Sequence, residues 1–229
     1  GSISSTVSAN TTSGFSIVSY TATGSTATIG HGLGAIPKMM IIKNTTSNST
    51  WAVYHASLGT GKFLRLQGTD AVGTEANWFD TTPTSSVFTV GSNLSSGATI
   101  AYCFANVKGF SKMGSYTGNG AGDGTFVYTG FKPAFVMVKN TDATRNWTIL
   151  DNKRDAFNAC SIRLFPNSSE AEAGSVGSEA MADILSNGFK TRTNDANFNA
   201  SGNNYIYMAF AENPFVATSG TSAIPVTAR

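Results

Sequence analysis

The sequence predicts an all-β protein made of two tandem, closely packed, jelly-roll-like β-sandwich repeats of about 100 residues each. Short strand-like runs alternate with turn residues, and one half of the chain echoes the other. Hydrophobic residues make up 41% of the 229 residues and charged residues only 12%. That composition is enough for a folded core and excludes wholesale disorder. One larger jelly roll formed from both halves is the alternative architecture.

The strand-like runs are rich in β-branched and aromatic residues, and clusters of Gly, Asn, Ser and Thr separate them. In the first half the runs are residues 15–20, 38–43, 52–54, 87–90 and 99–104. In the second half they are residues 125–128, 134–139, 147–150 and 205–210. Residues 179–186 differ, because Met181, Ile184 and Leu185 recur at helical spacing and Gly188 follows as a stop. This segment predicts one or two helical turns.

An internal duplication organises the chain. Residues 19–51 align with residues 115–147 without a gap, and ten positions are identical. They include the Lys43-Asn44-Thr45 and Lys139-Asn140-Thr141 triplets, and Trp51 with Trp147. The repeated tryptophan predicts one core tryptophan in each repeat. Weaker matches, with small gaps, continue to residues 100–105 and 206–211.

These matches predict four segments. Residues 1–13 are a Ser- and Thr-rich lead-in linker, 14–109 the first repeat, 110–216 the second repeat, and 217–229 a C-terminal tail. A terminal strand that docks onto a sheet is the alternative for the ends of the chain. Residues 107–113 have almost no linker character, which favours close packing of the two repeats.

The charge balance argues against several classes of partner. The formal net charge is +2 and no basic run occurs, so we expect no nucleic-acid binding. The apolar runs are far shorter than the roughly 20 residues of a membrane span, so we expect no membrane insertion. Cys103 and Cys160 are not matched between the repeats, and we expect two buried free thiols. No pattern indicates a cofactor.

The sequence predicts that the protein is not an enzyme. His31 and His55 show no metal-ligand spacing, and no Gly-x-Ser-x-Gly or phosphate-loop motif occurs. Acidic residues cluster in three loop regions, which we interpret as solvated charges rather than the paired carboxylates of a glycosidase. Asp123, in a glycine-rich loop, is a weak calcium-ligand candidate, with a plain hairpin loop as the alternative.

Sugar binding is the chemistry hardest to dismiss from the residue pattern. It requires exposed aromatic faces beside Asn, Asp and Ser side chains. Trp78 has no partner in the second repeat, so we predict an exposed ligand contact there, with a core position as the alternative. The candidate ligand-binding residues are Trp78, Asn77, Asp80, Tyr54 and His55.

Several motifs become specific when they are taken together. They are the lead-in of residues 4–12 before Gly14-Phe15-Ser16-Ile17-Val18-Ser19-Tyr20, the His31-Gly32-Leu33-Gly34 turn, Gly130-Phe131-Lys132-Pro133, and Ala209-Phe210-Ala211-Glu212-Asn213-Pro214-Phe215. As a set they resemble a β-rich repeat family near the C-termini of bacteriophage tail-fibre and other virion appendage proteins, of the marine and cyanobacterial phage type. The likeness covers most of the chain. Residues 216–229 depart from the family's shorter endings.

The resemblance implies a virion surface protein with a sandwich often compared with concanavalin-like lectin domains. Its function would be that of the C-terminal domain of a tail fibre, attaching to a host cell-surface glycan or receptor by weak multivalent contacts. Other virion proteins and copies of the same chain, commonly in a trimer, would be its partners. A capsid-decoration or head-fibre protein is the first alternative and a polysaccharide depolymerase the second. The family has no defined functional residues to transfer.

Overall fold

The protein is all-β. The structure, a computed structural model, describes residues 1–75, 78–174 and 179–213. Strands make up 44% of the chain, the described residues contain no helix, and the several sheets are consistent with a β-sandwich. The described part of the chain accordingly has no helix with the length and hydrophobicity that a membrane span requires.

The chain divides into two compact units. Unit 1 is Gly1–Asn106 and unit 2 is Val107–Arg229. The division falls close to the repeat boundary that the sequence predicts after Gly109. The predicted tail, residues 217–229, lies outside the described residues.

Unit 1 has a large and a small sheet around one core. The large sheet has seven strands in the order β1-β2-β9-β4-β5-β6-β7, and β3 pairs with β8 in the small one. Val18 and Ala101 of the large sheet share the core with Ile29 and Phe88 of the small one. The strands are β1 (Ser5–Asn10), β2 (Phe15–Ala22), β3 (Ala27–Gly30), β4 (Met39–Asn44), β5 (Trp51–His55), β6 (Lys62–Arg65), β7 (Gly73–Thr74), β8 (Val87–Val90) and β9 (Gly97–Phe104).

Unit 2 also encloses one core between two sheets. Its four-stranded sheet has the order β10-β16-β12-β13, and its three-stranded sheet the order β11-β15-β14. Val136 and Tyr207 of the first sheet share the core with Val127 and Phe189 of the second. The strands are β10 (Ser111–Thr117), β11 (Phe126–Tyr128), β12 (Pro133–Asn140), β13 (Trp147–Asp151), β14 (Ala182–Leu185), β15 (Gly188–Thr191) and β16 (Asn204–Ala211).

The two units use the same strand order over much of their length. In unit 2, β10-β16-β12-β13 follows the order that β2-β9-β4-β5 has in unit 1, and all of these pairs are antiparallel. In the small sheets, Val127 lies opposite Phe189 as Ile29 lies opposite Phe88. Each half of the chain therefore builds the same central pairing.

The predicted strands are confirmed, since each of the nine predicted runs coincides with an observed strand. Part of the lead-in is also a strand, because Ser5–Asn10 forms β1 and pairs with β2 along its full length. Most of β1 is exposed, so it has no alternation of apolar and polar residues that a sequence pattern could reveal. This part of the lead-in therefore agrees with the alternative prediction, in which a terminal strand docks onto a sheet.

The predicted helix over residues 179–186 is wrong. Ala182–Leu185 is strand β14, which pairs with β15 from Ala182 opposite Thr191 to Leu185 opposite Gly188. Ala182 and Ile184 point into the core while Asp183 and Leu185 are half-buried, which is the two-residue period of a strand. Pairing with β15 overrides the weak helical spacing of this short segment.

The repeated tryptophans differ in burial. Trp147 is 1% exposed and confirms the predicted core position in unit 2. Trp51 is only half-buried, so the prediction is wrong for unit 1. Its cross-strand neighbour is Lys43, whose Nζ lies 5.9 Å from the centre of the Trp51 ring. The aliphatic lysine stem and the ring therefore cover each other at the surface.

Cys103 and Cys160 are buried free thiols, as predicted. Burial raises the pKa of Cys103 to about 12 and that of Cys160 to about 11. We therefore expect neither thiol to react with a disulfide reagent in the native protein at pH 8, and two per chain to react in denaturant. Replacement of Cys160 by Ala should reduce the denatured count to one. Stoichiometric labelling of the native protein would contradict the burial.

The raised pKa values of the two thiols make the free energy of unfolding depend on pH in the alkaline range. Above the ordinary thiol pKa of 9.0, the unfolded chain loses protons that the folded chain retains. The free energy of unfolding that the two thiols contribute is therefore fully present below about pH 9 and is lost as the pH rises toward 12. Urea denaturation at a series of pH values would measure this loss. Tyr207, whose pKa burial raises to about 12, adds to the same trend.

Candidate functional site

Loops at one end of the unit 1 sheet enclose a cavity of about 210 Å³. Its lining combines seven Asn, Ser and Thr residues with three apolar ones, and none of the described residues that line it is charged. One wall follows β4 and includes Asn48 and Thr50, and the opposite wall precedes β9 and includes Asn93 and Ser95. Such a cavity offers hydrogen bonds to a neutral polar ligand.

Asn44, the last residue of β4, holds the two walls together. Its side chain is 5% exposed, and its Nδ2 donates to the carbonyl oxygens of Ser95 (2.8 Å) and Ser96 (2.9 Å). Its Oδ1 accepts hydrogen bonds from the backbone N–H groups of Thr46 and Ser47, each at 3.0 Å. This buried amide turns the chain after β4 and fixes the distance between the walls.

Trp78 lines the cavity but is not the exposed side chain that the sequence predicts. It is 6% exposed and stacks on Phe63, with ring centroids 4.0 Å apart and an interplanar angle of 9°. Its Nε1 donates to Glu75 Oε2 at 3.0 Å. The ring is therefore part of the unit 1 core and forms apolar lining together with Leu94 and Ile42.

The other predicted ligand-binding residues do not gather at this cavity. Tyr54 is 2% exposed and packs edge-to-face against Phe79 with centroids 5.6 Å apart, and burial raises its pKa. His55 is fully buried, and its Nδ1 accepts from the Ser57 N–H at 3.2 Å. Both side chains are therefore buried rather than at the surface of unit 1. Asp80 is exposed but does not line the cavity, and Asn77 lies outside the described residues.

Asp123, the weak calcium-ligand candidate, forms ion pairs with two basic side chains. The Asp123 carboxylate lies 2.5 Å from Lys190 Nζ and 3.3 Å from Arg192 Nη1. The hydrogen bond from Lys190 and the two positive charges lower its pKa. A calcium ion would have to displace both side chains. Within the described ranges, no group of three or more His, Cys, Asp and Glu side chains could hold a metal ion.

In unit 2, asparagine side chains form hydrogen bonds that fix the loop before β16, which corresponds to the loop before β9 in unit 1. The loop before β16, residues 192–203, is twice as long as the loop before β9, residues 91–96. Asn140 occupies the place of Asn44, and its Nδ2 donates to Ala196 O (3.0 Å) and Tyr205 Oη (3.1 Å). Asn199 is fully buried, and its Nδ2 donates to Ala121 O (2.9 Å) and Thr193 O (2.7 Å). The shorter loop of unit 1 instead leaves the cavity open beside Asn44.

Two carboxylates line another cavity, of about 280 Å³, in unit 2. Burial opposes the ionisation of Asp155, but the N–H and Oγ–H of Ser161 donate to it at 2.8 and 2.9 Å and lower its pKa. Lys132, 2.7 Å away, lowers the pKa of Glu212. A glycosidase acid requires the opposite shift. These two side chains are therefore suited to anchoring loops rather than to donating a proton.

Sequence reasoning missed the residues that form the unit 1 cavity. The repeated Lys-Asn-Thr triplet was a usable signal for the buried asparagines, since Asn44 and Asn140 perform the same loop-closing role. Nothing distinguishes Asn48 or Asn93 from the many other asparagines of the chain. Their position in a cavity depends on two loops that are far apart in sequence.

A family model for a domain of unknown function, DUF7483, matches residues 1–214. No curated protein matches the chain, and no solved structure does. The family match spans unit 1 and all of the described part of unit 2. The chain therefore belongs to the DUF7483 family.

Proposed function

We propose that this chain is a non-enzymatic attachment module of a phage virion, and that its unit 1 cavity binds neutral glycans of the host surface. In this proposal the chain consists of two tandem copies of one sandwich unit at the exposed end of a tail fibre. The virion assignment rests on the motifs shared with appendage proteins, from the lead-in to the Ala209-Phe210-Ala211 strand. The glycan assignment rests on the cavity.

Three observations support tandem copies over one larger jelly roll. Ten identical positions align residues 19–51 with residues 115–147, and the central strands of both units follow the same order. Each unit also has a separate cluster of buried apolar residues. A single jelly roll would be expected to share one core between the two halves.

The uncharged, polar lining of the unit 1 cavity is the observation that carries the proposed ligand class. Sugars present many hydroxyl groups, which donate and accept hydrogen bonds, together with small apolar faces. Asn48, Thr50 and Asn93 can serve the hydroxyls, while Leu94 and Trp78 offer apolar contact. A strongly charged ligand would find no opposite charge among the described lining residues.

A cavity of about 210 Å³ is smaller than most ligand pockets and suits weak binding of a single sugar ring. Weak sites become effective when several copies are displayed together, because the second contact is made at a high local concentration. Repeated copies of this chain on a fibre would supply that multiplicity. The proposed attachment therefore does not require high affinity at a single site.

Loss of the cavity amides should weaken glycan binding. In the double variant Asn48→Ala/Asn93→Ala we expect about a tenfold lower affinity for a neutral oligosaccharide, because one or two hydrogen bonds are lost without leaving a buried polar group. The measurement is binding of the purified chain to an array of bacterial surface saccharides, followed by titration calorimetry of the best neutral ligand. Asn48 and Asn93 are exposed, so the fold should persist.

The matched control is Asn10→Ala, which removes an exposed asparagine outside the cavity. It should bind as the wild-type chain does. The proposal is overturned if the folded wild-type chain binds no neutral saccharide on the array, or if the double variant binds it with unchanged affinity.

A further inference from the structure

Two exposed aromatic rings stand on the same side of strand β11 in unit 2. Phe126 is 44% exposed and Tyr128 59% exposed, whereas Val127 between them is 5% exposed and faces the core. Side chains two residues apart on a strand share a face at a spacing of about 6.7 Å. Because β11 is an outer strand of its sheet, both rings are accessible from the side as well as from above.

The fold does not require aromatic residues at these positions. In unit 1, strand β3 pairs with β8 as β11 pairs with β15, with Ile29 in the place of Val127. The residues flanking Ile29 are Thr28 and Gly30. This place in the fold is therefore filled in unit 1 without outward-facing rings, and the two partly exposed rings of β11 are available for contact with a ligand.

The Tyr128 ring is held in place before any ligand arrives. Lys112 Nζ donates to the Tyr128 carbonyl oxygen at 2.7 Å and lies 5.1 Å from the centre of the ring. Gly130 lies against the same ring, since a Cβ built on it would be 3.5 Å from Tyr128 Oη. A ring that is already oriented loses little conformational entropy on binding, which favours affinity.

We infer that Phe126 and Tyr128 form a stacking platform for the pyranose rings of an extended polysaccharide. The apolar faces of successive sugars would lie against the two rings, and the nearby Lys112 could donate to sugar hydroxyls. This site uses residues of unit 2 alone. It stands whether or not the unit 1 cavity binds glycans.

The size of the surface favours a sugar chain over a protein partner. With roughly 200 Å² for each aromatic side chain, the exposed fractions of Phe126 and Tyr128 sum to about 200 Å². A stable protein interface needs about 800 Å² on each partner. Two rings in line instead match the narrow footprint of a single polysaccharide chain.

Affinity electrophoresis tests this inference with the full chain. Native gels would contain soluble hydroxyethyl cellulose, xylan or galactomannan, and we expect at least one of them to retard the wild-type chain. Tyr128→Ala and Phe126→Ala should each weaken binding about tenfold or more, while Tyr128→Phe should retain it because the ring remains. Phe157→Ala, which removes a 76% exposed ring from another loop, should bind as the wild type does.

The Asn48→Ala/Asn93→Ala background separates this platform from the unit 1 cavity, since in that background Tyr128→Ala should still reduce the retardation. Equal retardation of the wild type and Tyr128→Ala would overturn the inference, as would the absence of retardation in all three gels. Self-association that Tyr128→Ala abolishes, seen by light scattering, would also overturn it and make the rings a protein contact.

Discussion

Replacement of Phe189 by Ala should destabilise unit 2 by about 3–5 kcal/mol, the usual range for removal of a fully buried phenylalanine. Phe189 is 0% exposed and lies at the centre of the unit 2 core. Its ring centroid lies 5.9 Å from that of Tyr116, 5.6 Å from that of Tyr207 and 6.2 Å from that of Phe198. The substitution removes edge-to-face contacts as well as apolar burial, and it leaves a cavity that two sheets cannot easily close.

Urea denaturation followed by tryptophan fluorescence would measure this loss. Trp147 is the only tryptophan of unit 2 and is buried, so a Trp51→Phe/Trp78→Phe background leaves its emission alone to report the unfolding of that unit. Phe157→Ala is the matched control, because Phe157 is 76% exposed and its loss should change stability by less than about 0.5 kcal/mol. Equal midpoints for Phe189→Ala and Phe157→Ala would contradict the described core.

The second large effect is expected at Trp78, where the sequence and the structure disagree. Trp78→Ala should reduce the stability of unit 1 by about 3–5 kcal/mol, because the ring is buried and stacked on Phe63. The change would also leave the Glu75 carboxylate without the indole N–H that donates to it. An exposed, ligand-contacting tryptophan would instead lose less than about 0.5 kcal/mol.

The conservative variant Trp78→Phe separates packing from hydrogen bonding. It keeps a ring above Phe63 but removes the indole N–H, so we expect a loss of about 1–2 kcal/mol. The free energy of unfolding from urea titrations is the measurement for both variants. An unchanged midpoint for Trp78→Ala would restore the exposed position that the sequence predicts.

Local patterns were sufficient where a strand has one buried and one exposed face. Strand β2 alternates Ser16, Val18 and Tyr20 inward with Ile17 and Ser19 outward, and such runs were recognised from sequence. Strand β1 could not be predicted in this way, because it has no buried face and so no alternation of apolar and polar residues. Strand β14 was mistaken for a helix because a four-residue run contains too little periodicity to separate the two structures.

The candidate site was much less predictable. An aromatic residue near polar ones suggests a ligand contact, but Trp78, in the loop between β7 and β8, packs in the core, whereas Tyr128, on strand β11, is exposed. Burial depends on what the rest of the fold places above a ring. Phe63 covers Trp78, while Tyr128 lies on an outer strand and is 59% exposed.

Residue types and short spacings are enough to predict that the protein is all-β, where most strands run, and that Lys-Asn-Thr and Trp recur in both halves. These properties depend on spacings of a few positions, which a linear pattern preserves. The hydrogen bonds from Asn44 to the loop before β9, and the position of Asn48 and Asn93 in one cavity, become visible only in the folded chain. Those contacts join segments about 50 residues apart, and they arise from sheet pairing that no local propensity encodes.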